Sequence, residues 1–388
     1  MRNYRRPELA KTVANDLTGS TFLSDAQNGL FLAAPRRTGK TEFLKHDLKP
    51  ELEKRGLLVM YVDLWSDKKR SPSDLIADEL AEAMDSTLGV VAKTAKKTGL
   101  RAVKVLGTLE IDLSKIGKID GLTLPQALQI LQKAVDKQIV LIVDEAQHAL
   151  TTPEGENAMS ALKSARDQLR NENGAQLLLV MSGSHRDKLL RLVNTAAAAF
   201  WGSQVQPLPT LGEPFAHYIG DQLRQQLGFE RLTDEALCRA FKDVGERPQF
   251  FIKEISAALQ HCKEQHSVNP ADFNQALLTA TTQTQARDRE ALTEQFKLLP
   301  IEQRVILWRV LEHGTEYRAF DSSSLNFYES QLGKRLSAVQ VQRHLDKLRE
   351  TAPPVIWKSN RGDYSLYDRA QQAWYAYLQN AQTWAALF

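Results

Sequence analysis

The chain has 388 residues, long enough for two or three domains. It is 43% hydrophobic and 25% charged, and Lys+Arg 50 against Asp+Glu 47 leave a formal net charge of +3. These figures exclude a wholly disordered chain, a collagen-like chain and a bulk polycation, so a nucleic-acid surface has to be a local patch. Cys238 and Cys262 form neither a CxxC pair nor a zinc set, and read as reduced core thiols. No apolar run approaches the roughly 20 residues of a membrane span. No apolar signal core follows the basic stretch Met1–Arg6. The expectation is a cytoplasmic protein with no membrane partner.

Leu9, Val13 and Leu17 recur at helical spacing and predict a helix over 8–18. Residues 29–34, 57–64, 138–143 and 176–181 are short apolar runs with no alternation. Such runs fit strands covered on both faces, as in a parallel sheet. Helical stretches at 73–84 and 158–170 separate them, which predicts an α/β core over 1–212. Within it, Lys93, Lys96, Lys97, Arg101, Lys104, Lys115 and Lys118 accompany an alternation of Val103, Val105, Leu109, Ile111 and Leu113. That pattern predicts a basic hairpin insertion. Beyond Pro207, Pro209 and Pro214 the strand signal stops, and 213–290 reads as an all-helical module. Residues 291–388 are predicted to form a third module of short helices followed by strand, turn and strand over 355–367.

Chemistry concentrates in two motifs. Ala34-Pro35-Arg36-Arg37-Thr38-Gly39-Lys40-Thr41 follows the first strand and opens a helix. It is a P-loop, with Ala34 in place of the first glycine. Backbone N–H groups in such a loop, with a helix N-terminus behind them, bind phosphate. Gly39 permits close approach of backbone to phosphate. Lys40 is expected to reach the β- and γ-phosphates, and the Thr41 hydroxyl to ligate Mg²⁺. The strand ending in Asp144-Glu145 is the partner motif. There Asp144 would hold the metal, and Glu145 would orient and activate the attacking water. The next strand ends in Ser182-Gly183-Ser184-His185, where Ser184 or Ser182 could bond the γ-phosphate or the water. His185 reads as a loop histidine. In the helical module Arg247, within Gly245-Glu246-Arg247-Pro248, either reaches the phosphates or is a solvated helix-end charge.

Near the C-terminus Ser337 is a plausible N-cap for a helix with Val341, Leu345 and Leu348 facing inward. Gln340, Arg343, His344 and Lys347 then face outward. A following hairpin carries Lys358 and Arg361. This is winged helix-turn-helix patterning. From 331 to 361, seven Lys/Arg stand against two acids, and Lys334, Arg335, Arg343, Lys347, Lys358 and Arg361, with Gln340, are the nucleic-acid candidates.

The P-loop, the run Ile142-Val143-Asp144-Glu145-Ala146-Gln147, the strand ending in Ser-Gly-Ser, the helical module and the winged-helix pattern together resemble archaeal-type P-loop ATPases of the AAA+/STAND group. Their layout is similar to that of the origin-initiator ATPases. The resemblance implies ATP and Mg²⁺ as cofactors, slow or partner-stimulated hydrolysis, and a helical lid that moves with nucleotide. Family members often carry aromatic-Gly-Arg after the fourth strand, where this chain has Trp201-Gly202-Ser203. That departure removes the usual residue for a partner-directed arginine, for which Arg186 or Arg191 could substitute. The expected function is an ATP-hydrolysing switch that binds double-stranded DNA. The alternative is a signalling or defence-type ATPase scaffold whose winged helix binds a protein partner; homo-oligomerisation is a further expectation for the DNA-binding switch.

Overall fold

A computed structural model describes residues 4–21, 24–34, 37–67, 69–87, 102–105, 109–112, 116–117, 121–172, 174–184, 186–194, 198–228, 232–266, 269–351, 355–358, 364–366 and 369–381. The chain divides into two units, Arg5–Pro209 and Thr210–Phe388, the latter joined by Met1–Tyr4.

The first unit contains β1 (Leu30–Ala33), β2 (Leu58–Asp63), β3 (Ala102–Val105), β4 (Leu109–Asp112), β5 (Ile139–Asp144), β6 (Arg170–Asn171), β7 (Gly174–Ala175), β8 (Leu177–Gly183) and β9 (Val205–Pro207). Among the described residues, five of these form one parallel sheet in the order β2-β5-β8-β1-β9. Parallel neighbours need crossovers, and helices supply them on both faces. The side-chain period of two divides the apolar strands cleanly. Ile139, Leu141, Val143, Leu177, Leu179 and Met181 pack with the helices Pro72–Thr87, Leu124–Val135 and Pro153–Gln168. Val140, Ile142, Leu178 and Val180 pack with Pro7–Thr18 and the helical segment that begins at Lys40. Leu141→Ala removes a side chain filling the centre of the first layer. It is expected to cost about 2–5 kcal/mol of stability, read by denaturant unfolding.

Local chemistry explains several element ends. Thr123 caps Leu124–Val135 in a capping box with Gln126. Gly19, left-handed at φ 76°, closes Pro7–Thr18. Lys40–Phe43 continues through a π turn, Leu44–Leu48, into Lys49–Lys54. Pro50 has no N–H to offer the His46 carbonyl four residues back. The Arg5 guanidinium donates to that carbonyl instead, at 2.9 Å.

The expected insertion hairpin is present as β3 and β4, antiparallel with Val105 opposite Leu109. Lys93, Lys96, Lys97, Arg101, Lys115 and Lys118 lie outside the described residues. The edge strand β9 carries no pattern that sequence could show, because three residues ending in proline are too short for periodicity.

In the second unit, Gly212–Leu227, Asp234–Asp243 and Pro248–Glu264 meet through Phe215, Phe241 and Phe251, with Phe273 of the helix Pro270–Lys297. Tyr4 joins this cluster edge-on to Phe215, ring centroids 5.2 Å apart. Pro270–Lys297 runs unbroken through residue 290, and its Phe296 enters a separate core with Trp308, Tyr317, Tyr328 and Trp374. That core joins Ile301–His313, Ser322–Leu332 and Ala338–Glu350 to the antiparallel pair β10 (Ile356–Lys358) and β11 (Tyr364–Leu366), then Arg369–Ala381. Ser337 caps Ala338–Glu350, and Val341, Leu345 and Leu348 are fully buried. His344, expected on the outward face, is 9% exposed and belongs to the packed side. Four residues past the N3 position it falls on the same helical stripe as Leu348.

No helix among the described residues is long and apolar enough to cross a membrane.

Candidate functional site

The candidate residues of the first unit converge at the carboxyl ends of β1, β5 and β8. Strand order creates this convergence. β8 lies between β1 and β5, pairing Leu32 with Ser182 and Val143 with Met181. The P-loop leaves β1, Asp144 ends β5, and Ser182 stands between them. This is the crevice where open α/β sheets place ligands.

Gly39 is left-handed at φ 85° and precedes the first residue of the helix, Lys40. Arg37 also takes a positive φ, 66°, and Thr38 is buried. Ala34 donates its N–H to the Gly183 carbonyl at 3.1 Å, which ties the loop's start to β8. Pro35 and Arg36 lie outside the described residues.

Lys40 is only 5% exposed. Its ammonium forms an ion pair with Asp144, lies 3.0 Å from Glu145 Oε1, and donates to Ser182 Oγ at 3.3 Å. Asp144 is fully buried and saturated with donors. Ser182 donates to Oδ1; Thr41 Oγ1 and the Tyr61 hydroxyl donate to Oδ2 at 2.7 and 2.9 Å. Burial pushes the Asp144 carboxyl up, but Lys40 and the hydrogen bonds from Lys40, Ser182 and Thr41 outweigh it and hold it below the usual aspartate range.

Glu145 sits one residue past the strand in a left-handed conformation, φ 53° and ψ 39°. Its N–H donates to Asp144 Oδ1 at 2.9 Å. A non-glycine residue there is uncommon and redirects the side chain out of the pleat. Its carboxylate Oε2 accepts from Ser184 Oγ at 2.8 Å and from Gln147 Nε2 at 2.5 Å. Burial opposes its ionisation, yet Lys40 and the hydrogen bonds from Gln147 and Ser184 hold it below the usual glutamate range.

Across from Asp144 in the register, Asp63 ends β2. Burial raises its carboxyl, aided by the charges of Asp144 and Glu145 and opposed by a hydrogen bond from the Trp65 N–H. Burial, with Asp144 beside it, likewise raises the Tyr61 hydroxyl, which is a donor here.

The donor set fits a magnesium ion. Thr41 Oγ1 and Asp144 Oδ2 are hard oxygens 2.7 Å apart, on different elements. Among the described residues no cluster of three His, Cys, Asp or Glu forms an all-protein cage. Magnesium is characteristically held by one or two protein oxygens, with phosphate and water completing the octahedron.

Tyr61 and Gln147 are site residues that sequence reasoning did not single out. Tyr61 carries no signal within an apolar strand. Gln147 stands two residues after Glu145, inside a run already marked by its carboxylates.

Arg247 belongs to the second unit. There it donates to Asp288 at 2.6 Å and to the Val244 carbonyl at 2.7 Å, and its guanidinium lies 4.0 Å from the Phe250 ring centroid. In the same unit Lys334 is ion-paired with Glu302 at 2.7 Å. The Gln340 side chain accepts from the Ser337 N–H and so completes the helix cap. Arg335, Arg343 and Lys347 are exposed. Lys358 ends β10, and Arg361 lies outside the described residues. Ser203 is buried and donates to the Asn28 carbonyl at 3.4 Å.

Residues 24–190 match the family model described as an AAA domain. No curated protein matches the sequence. Among solved structures, the chain is similar to a Walker-type ATPase of Pyrococcus abyssi, with TM-score 0.53 and 14% identity over 94% of this chain and 95% of that one. It is also similar to the ORC2 protein of Aeropyrum pernix in its ADP form, with TM-score 0.52 and 15% identity over 98% of this chain and 96% of that one. At such identities the likeness is one of fold. The matched segment lies within the first unit, whose parallel sheet and flanking helices have the fold of a P-loop α/β core.

Proposed function

We propose that the protein binds ATP with Mg²⁺ at this site, hydrolyses it, and uses the nucleotide state to control a C-terminal winged helix that binds double-stranded DNA. The observation that carries the ATPase reading is the meeting of Lys40, Thr41, Asp144, Glu145, Ser182 and Ser184 at three adjacent strand ends.

In this reading Lys40 neutralises β- and γ-phosphate oxygens. Thr41 and Asp144 hold the metal, which supplies charge neutralisation on the phosphates when bound. Glu145 is ionised and hydrogen-bonded, so it can orient a water and accept its proton. The water oxygen bonds to the γ-phosphorus, the β–γ bridging P–O bond breaks, and its electron pair leaves with ADP. Ser182 and Ser184 keep the two carboxylates apart in role, one for metal and one for water. Arg247 is proposed as a lid residue that senses phosphate. The test is turnover by the purified chain, alone and with duplex DNA. Turnover raised by DNA supports the coupled reading, and turnover indifferent to DNA removes it.

Support for the DNA half comes from Arg335, Arg343 and Lys347, which are exposed beside and along the helix Ala338–Glu350. Arg343→Ala is expected to weaken duplex binding and to reduce the slope of log K against log salt by about 1. Titrations at several salt concentrations check it. A second reading rests on the same helix. Val339 is 79% exposed, and Asp346 and Glu350 share its open groove of about 680 Å³ with Phe320, Arg343 and Lys347. Exposed apolar surface with mixed charge suits a protein partner. Unchanged duplex affinity in Arg343→Ala would favour that reading.

A further inference from the structure

We propose that Gln147 is a positioning residue for hydrolysis: its buried amide, seated against Gly183, holds one oxygen of Glu145 so that the carboxylate presents a single fixed face to the attacking water. The proposal rests on the ATPase reading above.

Three observations carry it. Gln147 is 3% exposed, so its amide is committed to the interior. Nε2 donates to Glu145 Oε2 at 2.5 Å, beside the 2.8 Å bond from Ser184. Two neutral donors on one oxygen, with Lys40 facing the other at 3.0 Å, stop the carboxylate from rotating about its last torsion.

The second observation is what the amide forgoes. Gln147 Oε1 is buried with no hydrogen-bond partner among the described residues. An unpaired buried acceptor is destabilising. An apolar side chain of equal size would avoid that cost, so packing alone does not account for a glutamine here.

The third is the seat itself. A Cβ on residue 183 would lie 2.5 Å from Gln147 Oε1. The amide in this position sits against glycine, and a side chain at 183 would have to displace its oxygen. Gly183 stands between Ser182, on Asp144, and Ser184, on Glu145. Gln147 and Ser184, the residue that follows β8, thus hold the same oxygen of Glu145. A misplacement of about 1 Å in a catalytic group is enough to cost about a hundredfold in rate.

Gln147→Met keeps the volume and removes the donor, and Gly183→Ala displaces the amide from the other side. The experiment measures ATP affinity with a fluorescent ATP analogue, steady-state turnover and the melting midpoint for wild type and both variants. Both variants are expected to bind the analogue within about threefold of wild type, while kcat falls about tenfold to a hundredfold. Wild-type turnover in Gln147→Met overturns the proposal, because the donor then does nothing. Affinity falling in step with kcat also overturns it, since Gln147 would then serve binding. Loss of the folded state in both variants overturns it too, by making the residue structural. Failure of the underlying reading looks different: the wild-type chain itself binds the analogue without turning over ATP.

Discussion

Lys40→Ala is expected to abolish nucleotide binding and to destabilise the first unit. Lys40 is the cation between two carboxylates that are buried or nearly so, with Asp144 ion-paired to it and Glu145 at 3.0 Å. Deleting it leaves both acids facing each other without a counter-charge. Breaking a buried pair from one side costs about 3–5 kcal/mol, because the remaining charge is uncompensated. Phosphate would then approach two carboxylates in place of an ammonium, so affinity is expected to fall by about a hundredfold or more. Calorimetric titration with ATP and a thermal melt read the two effects separately. Unchanged ATP affinity would refute the P-loop assignment of residues 34–41.

Glu145→Gln is expected to keep ATP and stop its turnover. The amide is isosteric with the carboxylate, and its oxygen can accept from Ser184 and Gln147 as Glu145 Oε2 does, at the cost of turning its NH2 toward the Lys40 ammonium that now faces Oε1 at 3.0 Å. Asp144 still pairs with Lys40, so the fold loses little. What disappears is the ionised group able to take a proton from water, a role worth about 10²–10⁴ in rate. ATP affinity should stay level or rise, since one negative charge near the phosphates is removed. Turnover and nucleotide-retention measurements on the same preparation check this. Full turnover would remove Glu145 from the mechanism. The two substitutions therefore separate binding from chemistry. In the first, loss of affinity precedes any loss of rate; in the second, rate is lost with affinity intact.

The distinction between local and long-range information runs through the whole chain. The P-loop was legible because phosphate binding needs Gly39, Lys40 and Thr41 consecutively, at a strand-to-helix junction. The strands at 29–34, 57–64, 138–143 and 176–181 were legible because burial on both faces demands unbroken apolar runs. Ser337 was legible as a cap because capping acts within three residues. The edge strand β9 escaped because Val205–Pro207 is shorter than any period. His344 was placed outward by helical spacing, and the core around Val341, Leu345 and Leu348 drew it inward instead.

Residue types and neighbours along the chain were enough to mark the phosphate loop, the two carboxylates and the serines, and to separate an α/β region from a helical one. Only the tertiary structure decided that β8 inserts between β1 and β5, since that pairing sets Val180 beside Leu30, 150 positions away, and Leu177 beside Ile139, 38 positions away. That insertion places Ser182 on Asp144, Ser184 on Glu145 and Gln147 against Gly183, and β2 brings Tyr61 to the same carboxylate. Hydrogen bonds between strands depend on geometry in three dimensions, which no periodicity along one segment encodes.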